Sequence, residues 1–232
     1  MSSIFIPEPG LLLLHVPRTG GTWLGEAVTR IDPTAELWER RAYPWLPKAH
    51  PVFGHFNQEE RSRVKLVAAF VRHPIRYYES VWRYMRHFDG RDRKRMYTRW
   101  PWHPMALAAE VYDDDFNVWA QRMLLQGRDW VTRMFELYVG PGGGEVTSFI
   151  GRAETLVEDT AALLKLCKRP CDLEVLRAVG QVNTMPTYKI EWKPWLRDLV
   201  LDEEDRTIAR FYSKATEDRR LYAKLHYEGQ QI

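Results

Sequence analysis

Residues 11–24 read Leu-Leu-Leu-Leu-His-Val-Pro-Arg-Thr-Gly-Gly-Thr-Trp-Leu, and the order of residue types in this stretch decides the fold class. The apolar run over 11–16 predicts a strand buried on both faces. Pro17 ends it, a turn rich in Gly and Thr follows, and residues 22–31 predict a helix stopped by Asp32-Pro33. Strand, small-residue turn and helix in that order aim backbone N–H groups and a helix N-terminus at an anion. Glycine lets the main chain come close to such an anion because it has no Cβ, and Arg18 adds a permanent cation beside the turn. A plain strand–turn–helix junction has the same local pattern, so residues elsewhere in the chain decide between the two.

Working outward, residues 65–71 predict a second buried strand, and Pro74 suits the first turn of a helix running to about residue 88. Residues 146–152 predict a third strand, and Thr155-x-x-Glu158 reads as a capping box for a helix reaching about residue 167. A short strand over 51–55 precedes a polar helical turn at 57–63. Further helices are expected over 113–126, 194–200 and 202–214, with loops at 89–104 and 141–144. This alternation predicts an α/β sheet with additional helices in the C-terminal half, in a single domain over residues 1–232.

The composition is that of a folded protein, with 45% hydrophobic and 28% charged residues and a formal charge of only +3. No stretch approaches the roughly 18 apolar residues of a membrane span. Residues 1–10 lack a basic leader region and Leu11–Leu14 is too short for a signal core, so no leader or membrane partner is expected. The only cysteines, Cys167 and Cys171, are too few for a disulfide framework or a zinc site. A reduced, cytoplasmic setting follows as the expectation.

The turn at 17–22 is not a Walker A loop, because it lacks the second glycine at the required spacing and the Lys-Ser/Thr pair after it. A magnesium–nucleotide site would also want an aspartate at a neighbouring strand end. The second strand instead ends Val71-Arg72-His73-Pro74, with Ser80 eight positions after Arg72. An arginine at a strand end and a hydroxyl on the next helix can converge on one phosphate, joining charge to a hydrogen bond.

Together these two elements resemble the PAPS-dependent sulfotransferases, which use 3′-phosphoadenosine 5′-phosphosulfate as donor. Residues 17–24, Pro-Arg-Thr-Gly-Gly-Thr-Trp-Leu, are similar to that family's 5′-phosphosulfate loop, P-K-[ST]-G-[GT]-T-[SW]-L. Val71-Arg72-His73-Pro74 with Ser80 is similar to its 3′-phosphate element, V-R-[DN]-P-x5-S. A weaker likeness covers Ile150-Gly-Arg-Ala-Glu154 and Asp218-Arg-Arg-Leu-Tyr222. The resemblance implies a P-loop-like three-layer fold with a mainly parallel central sheet. It also implies transfer of a sulfuryl group from PAPS to a hydroxyl, with PAP leaving and no metal required. By the same resemblance Arg18 stands where the family has a lysine on the phosphosulfate bridge. Thr19, Gly20, Gly21 and Thr22 bind the 5′-phosphate, and Arg72 and Ser80 bind the 3′-phosphate. Trp23 has two readings left open, stacking on adenine or packing in the core.

Two departures stand out: Arg18 keeps the charge of the family lysine but cannot donate its proton at neutral pH, and His73 replaces an Asp or Asn. In-line attack at sulfur needs a base near the acceptor hydroxyl and cations over the leaving oxygen. His55, in Phe53-Gly54-His55-Phe56, is the candidate base. It is similar to the Gly-His element of several carbohydrate sulfotransferases, and imidazole titrates near neutrality. His15 reads as a core histidine, Glu59 and Glu60 as a solvated helix face, and Lys189 as a possible lid cation. The basic run from Arg83 to His103, with Trp100 and Trp102, reads as a solvated face or as a guide for an acidic glycan. These features point to a carbohydrate acceptor; nucleic acid is not the expected partner, although composition alone reads similarly. Two other classes stay open: a P-loop kinase-like phosphotransferase, and a non-catalytic nucleotide- or polyanion-binding protein.

Overall fold

A computed structural model describes residues 3–38, 56–87, 92, 95, 103–140, 147–182, 186 and 188–213. The apolar run of 11–16 forms strand β2 (Leu11–Leu13), and its neighbour in sequence, β1 (Ser3–Ile6), pairs with it antiparallel. Helix α1 (Gly21–Ile31) follows, then β3 (Glu36–Trp38), α2 (Gln58–Arg63), β4 (Leu66–Val71) and α3 (Pro74–His87). Helices α4 (Pro104–Glu110), α5 (Phe116–Gln126) and α6 (Trp130–Val139) lead to β5 (Phe149–Arg152). A 3-10 turn (Ala153–Thr155) opens α7 (Leu156–Leu166), after which come α8 (Leu173–Arg177), α9 (Pro194–Glu203) and α10 (Asp205–Phe211).

The sheet order is β3-β1-β2-β4-β5. Both β2–β4 and β4–β5 are parallel, whereas β1 pairs antiparallel with β2 and with β3. The sheet is therefore mixed and open, not mainly parallel as the sequence reading expects. The reason is local: the four-residue connection 7–10 returns the chain at once, and a parallel pairing needs a crossover of a dozen residues or more. Strand β1 is only four residues long and Pro7 follows it at once, so periodicity gives it no signal.

Alternation along the strands divides the core between two faces. Leu12, Leu14, Val67, Ala69 and Val71 face one apolar cluster with α3, α4, α5, α6, α9 and α10. Leu11, Leu13, Ala68 and Phe70 face the other, with α1, α7 and α8. Helices thus cover both faces, which explains why β2 and β4 read as unbroken apolar runs.

Observed boundaries of α1, β4 and α3 lie within about two residues of those expected, the usual uncertainty of element ends. Helices α4 and α6 are missed, although Pro104 opens α4 and Gly140 follows the last residue of α6. The capping box expected at Thr155 does not form. Thr155 Oγ1 instead donates to Asp159 Oδ2 at 2.8 Å, an oxygen that also accepts the Arg152 N–H at 2.7 Å. A reciprocal capping box occurs at α2, where Asn57 and Glu60 exchange hydrogen bonds of 2.8 and 2.9 Å. The predicted strand at 51–55 lies outside the described residues. No described helix is long and apolar enough to cross a membrane, and Cys167 and Cys171 are free thiols.

Candidate functional site

The turn between β2 and α1 is held in an unusual backbone path. Arg18 and Gly20 both have positive φ, 63° and 93°, which costs a non-glycine residue free energy and marks a constrained turn. Thr19 is buried and its hydroxyl donates to the Val16 carbonyl at 3.0 Å, so it braces the turn. Gly20 is the N-cap of α1, and with no side chain it leaves the cap to the backbone; the first turn also contains no acidic residue. The helix N-terminus keeps its partial positive charge, uncompensated by a side chain of its own.

Gly21 is required for a different reason. A Cβ there would lie 1.8 Å from His15 Cδ2 and 2.2 Å from Nε2. The buried His15 ring lies against the glycine, consistent with its reading as a core histidine. Gly21→Ala is accordingly expected to destabilise the protein by about 2 kcal/mol through overpacking, measured as a lower midpoint of thermal unfolding. An unchanged midpoint would mean that the His15 ring yields freely.

The two motifs meet although 62 residues separate them. Arg18 Nε donates to Ser80 Oγ at 3.2 Å, and its guanidinium carbon lies 4.7 Å from the ring centre of Tyr84. Ser80 and Tyr84 are i and i+4 on α3, so one helix face receives the arginine. Burial, and then the charge of Arg72, push Arg18 down to about 10. Arg72 is also shifted down, chiefly by burial, against the opposing pull of Glu154. Two guanidiniums that are costly to bury and repel one another favour an anion between them.

Register adds a third arginine. Val71 pairs with Arg152 in the β4–β5 ladder, so Arg72 and Arg152 stand at the ends of adjacent parallel strands. Arg18 follows the end of the third parallel strand, β2. All three lie at the carboxyl edge of the parallel strands, the side on which open α/β sheets bind ligands. Arg152 is buried, with its guanidinium 4.8 Å from the Tyr212 ring centre. Beside this edge is a cavity of about 450 Å³ whose lining includes His73, Arg76, Arg152, Glu154, Trp192 and Tyr212. Glu154 shapes it, accepting the His73 N–H and the Tyr212 hydroxyl, each at 2.9 Å. Burial pushes His73 below its ordinary 6.5.

Comparison with family models, with curated proteins and with solved structures gives no match. The site therefore stands on its own geometry.

That geometry brings Arg18, Thr19, Gly20, Gly21 and Thr22 onto one turn and joins Arg18 to Ser80, with Arg72 close enough to perturb Arg18. Trp23 is only 8% exposed and packs with Leu24, Ala27 and Val28 beneath α1, so core packing is the placement observed. His55 lies outside the described residues, as do Trp100 and Trp102. Of the basic run, Arg83 pairs with Glu79 at 3.7 Å. Arg86 donates to the Asp114 carbonyl at 2.7 Å and lies over Trp82 and Tyr188. Lys189 pairs with Glu191. Among the described residues no cluster of three or more His, Cys, Asp or Glu is placed to hold a metal ion.

Sequence reasoning assigned no role to Tyr77, Tyr84, Arg152, Glu154 or Tyr212. Arg152 and Glu154 fall within the weaker likeness over residues 150–154, and Arg152 is also a third arginine at a strand end.

Proposed function

We propose that the protein is a sulfotransferase that moves a sulfuryl group from PAPS to a hydroxyl of a carbohydrate acceptor. One observation carries this reading: the phosphosulfate-like turn and the Arg72/Ser80 element, far apart in sequence, come together through the Arg18–Ser80 hydrogen bond. A donor with anions at both its 5′ and 3′ positions matches a site with two neighbouring, partly buried arginines that follow different strands. Open α/β topology with helices on both faces is compatible with the P-loop-like arrangement that goes with this reading, as is a cytoplasmic setting for two free thiols.

In the reaction the acceptor oxygen attacks sulfur in line and gives up its proton to His55. The bond from sulfur to the bridging oxygen breaks, and its electron pair stays on the 5′-phosphate of the departing PAP. Arg18 stabilises the charge growing on that bridging oxygen. Shifted to about 10, it stays protonated at neutral pH and acts electrostatically rather than as an acid. The N–H groups opening α1 hold the 5′-phosphate, and Arg72 with Ser80 holds the 3′-phosphate.

His55→Ala is expected to lower kcat by about a hundredfold or more, the usual contribution of a general base, with PAP affinity retained. Radiolabelled PAPS and a panel of glycans provide the assay. Sulfation that persists unchanged in the variant would remove His55 from the mechanism. A wild-type protein that binds PAP no better than AMP would remove the donor assignment.

A further inference from the structure

Helix α3 carries Tyr77 and Tyr78 side by side. Both are fully buried, and neither hydroxyl has a hydrogen-bond partner among the described residues. Buried polar groups are nearly always paired, because water has been given up without replacement. Two such hydroxyls at consecutive positions therefore invite separate explanations. Neighbouring residues on a helix point roughly 100° apart, and these two face different charges.

Tyr78 packs edge-on to Trp119 and Trp130, and the charged groups acting on it are Glu204 and Glu203. Those acting on Tyr77 are Arg18 and Arg72. The helix spacing explains this. Tyr77, Ser80 and Tyr84 are i, i+3 and i+7, one face of α3. Ser80 accepts the Arg18 hydrogen bond and Tyr84 lies under the guanidinium. Tyr77 is one turn nearer to the start of α3, and so to the strand end that carries Arg72. Its ring is fixed against Trp130 and Phe135, with centroids 5.4 and 5.2 Å away.

We propose that the Tyr77 hydroxyl is a ligand of the bound anion, donating a hydrogen bond to a phosphoryl or sulfuryl oxygen held between Arg18 and Arg72. This rests on the anion site described above and adds a donor from the floor of the cradle. An oxyanion supplies what the hydroxyl lacks, an acceptor in a dry setting. The phenol in turn brings a donor without adding a third positive charge beside two that already repel. Burial pushes its ionisation far above the ordinary phenol range, so the proton remains available for donation.

Tyr77→Phe removes the hydroxyl and keeps the ring, and Tyr78→Phe removes the matching hydroxyl on the other face. Titration calorimetry is run on wild type and both variants with PAP, AMP and inorganic pyrophosphate. Tyr77→Phe is expected to weaken pyrophosphate and PAP about tenfold, the worth of one hydrogen bond to a charged group. Tyr78→Phe is expected to leave both unchanged. Both variants should unfold no earlier than wild type, since an unpaired buried hydroxyl has been removed. Equal pyrophosphate affinity in wild type and Tyr77→Phe overturns the proposal. So does an equal loss in Tyr78→Phe, which traces the effect to packing of α3, and so does a wild type that binds no probe. If PAP shows no preference over AMP while the pyrophosphate loss persists in Tyr77→Phe, the sulfotransferase reading fails and the Tyr77 assignment holds.

Discussion

Arg72→Met is expected to weaken PAP binding by at least about a hundredfold, on the order of 3 kcal/mol, while leaving the ligand-free protein no less stable than wild type. Arg72 follows the last residue of β4, where its guanidinium is shifted down by burial and shares a strand-end region with Arg18. Methionine fills much of the same volume and carries no charge, so it relieves both desolvation and repulsion. Glu154 does not depend on Arg72 for partners, since it holds the His73 N–H and the Tyr212 hydroxyl. Calorimetry with PAP measures the binding loss, and thermal unfolding without ligand measures the stability. Arg72→Lys should fall between wild type and Met, because it restores the charge without the two-pronged geometry. Wild-type PAP affinity in Arg72→Met would remove the 3′-phosphate assignment. A markedly less stable apo variant would instead make Arg72 a structural residue.

The largest stability effect is expected at Glu204, which has no part in the proposed anion site. Asp129, the N-cap of α6, is in a left-handed conformation and its side chain caps nothing. Glu204 supplies the cap from 73 residues downstream. It is fully buried, and its carboxylate accepts from Val131 N, Thr132 N and Thr132 Oγ1 at 2.8, 2.9 and 2.8 Å. Glu204→Ala strands two buried N–H groups and is expected to cost about 3 kcal/mol, seen as a drop in denaturant midpoint. Glu204→Gln keeps an acceptor and should cost less than half as much. Burial raises the Glu204 carboxyl above its ordinary 4.5, with the two backbone N–H groups opposing. The folded state therefore holds this proton more tightly than the unfolded state, and the contribution to stability falls as pH rises from 4.5 through the folded value. The stability advantage of wild type over Glu204→Gln should accordingly grow on acidification toward pH 4.5. An advantage that shrinks instead would mean that the backbone donors outweigh burial.

Much of the cradle was legible from local pattern. The run over 11–16 holds a buried strand at Leu11–Leu13, and 21–31 forms a helix, because both signals are short-range: an apolar run, a proline stop and glycines where the main chain turns. Arg72 as a strand-end cation was legible for the same reason. Strand β1 was not, since four residues ahead of a proline become a strand only when β2 and β3 offer partners. Nor was the role of Gly21, because the His15 ring that excludes a Cβ is placed by packing. Trp23 was ambiguous in sequence, and its burial with Leu24 and Val28 depends on how α1 lies on the sheet.

By itself the sequence determined an α/β chain with a turn suited to an anion and a strand-end arginine eight residues before a serine on the next helix, all properties of short windows of sequence. Only the tertiary structure decided that the sheet is mixed and that Arg18 reaches Ser80. It alone aligned three arginines along the carboxyl edge of the parallel strands and turned the α3 face of Tyr77, Ser80 and Tyr84 toward Arg18. These are long-range facts set by strand register and helix packing, which no window of neighbouring residues encodes. The turn supplies backbone donors, and the fold brings the other charges to it.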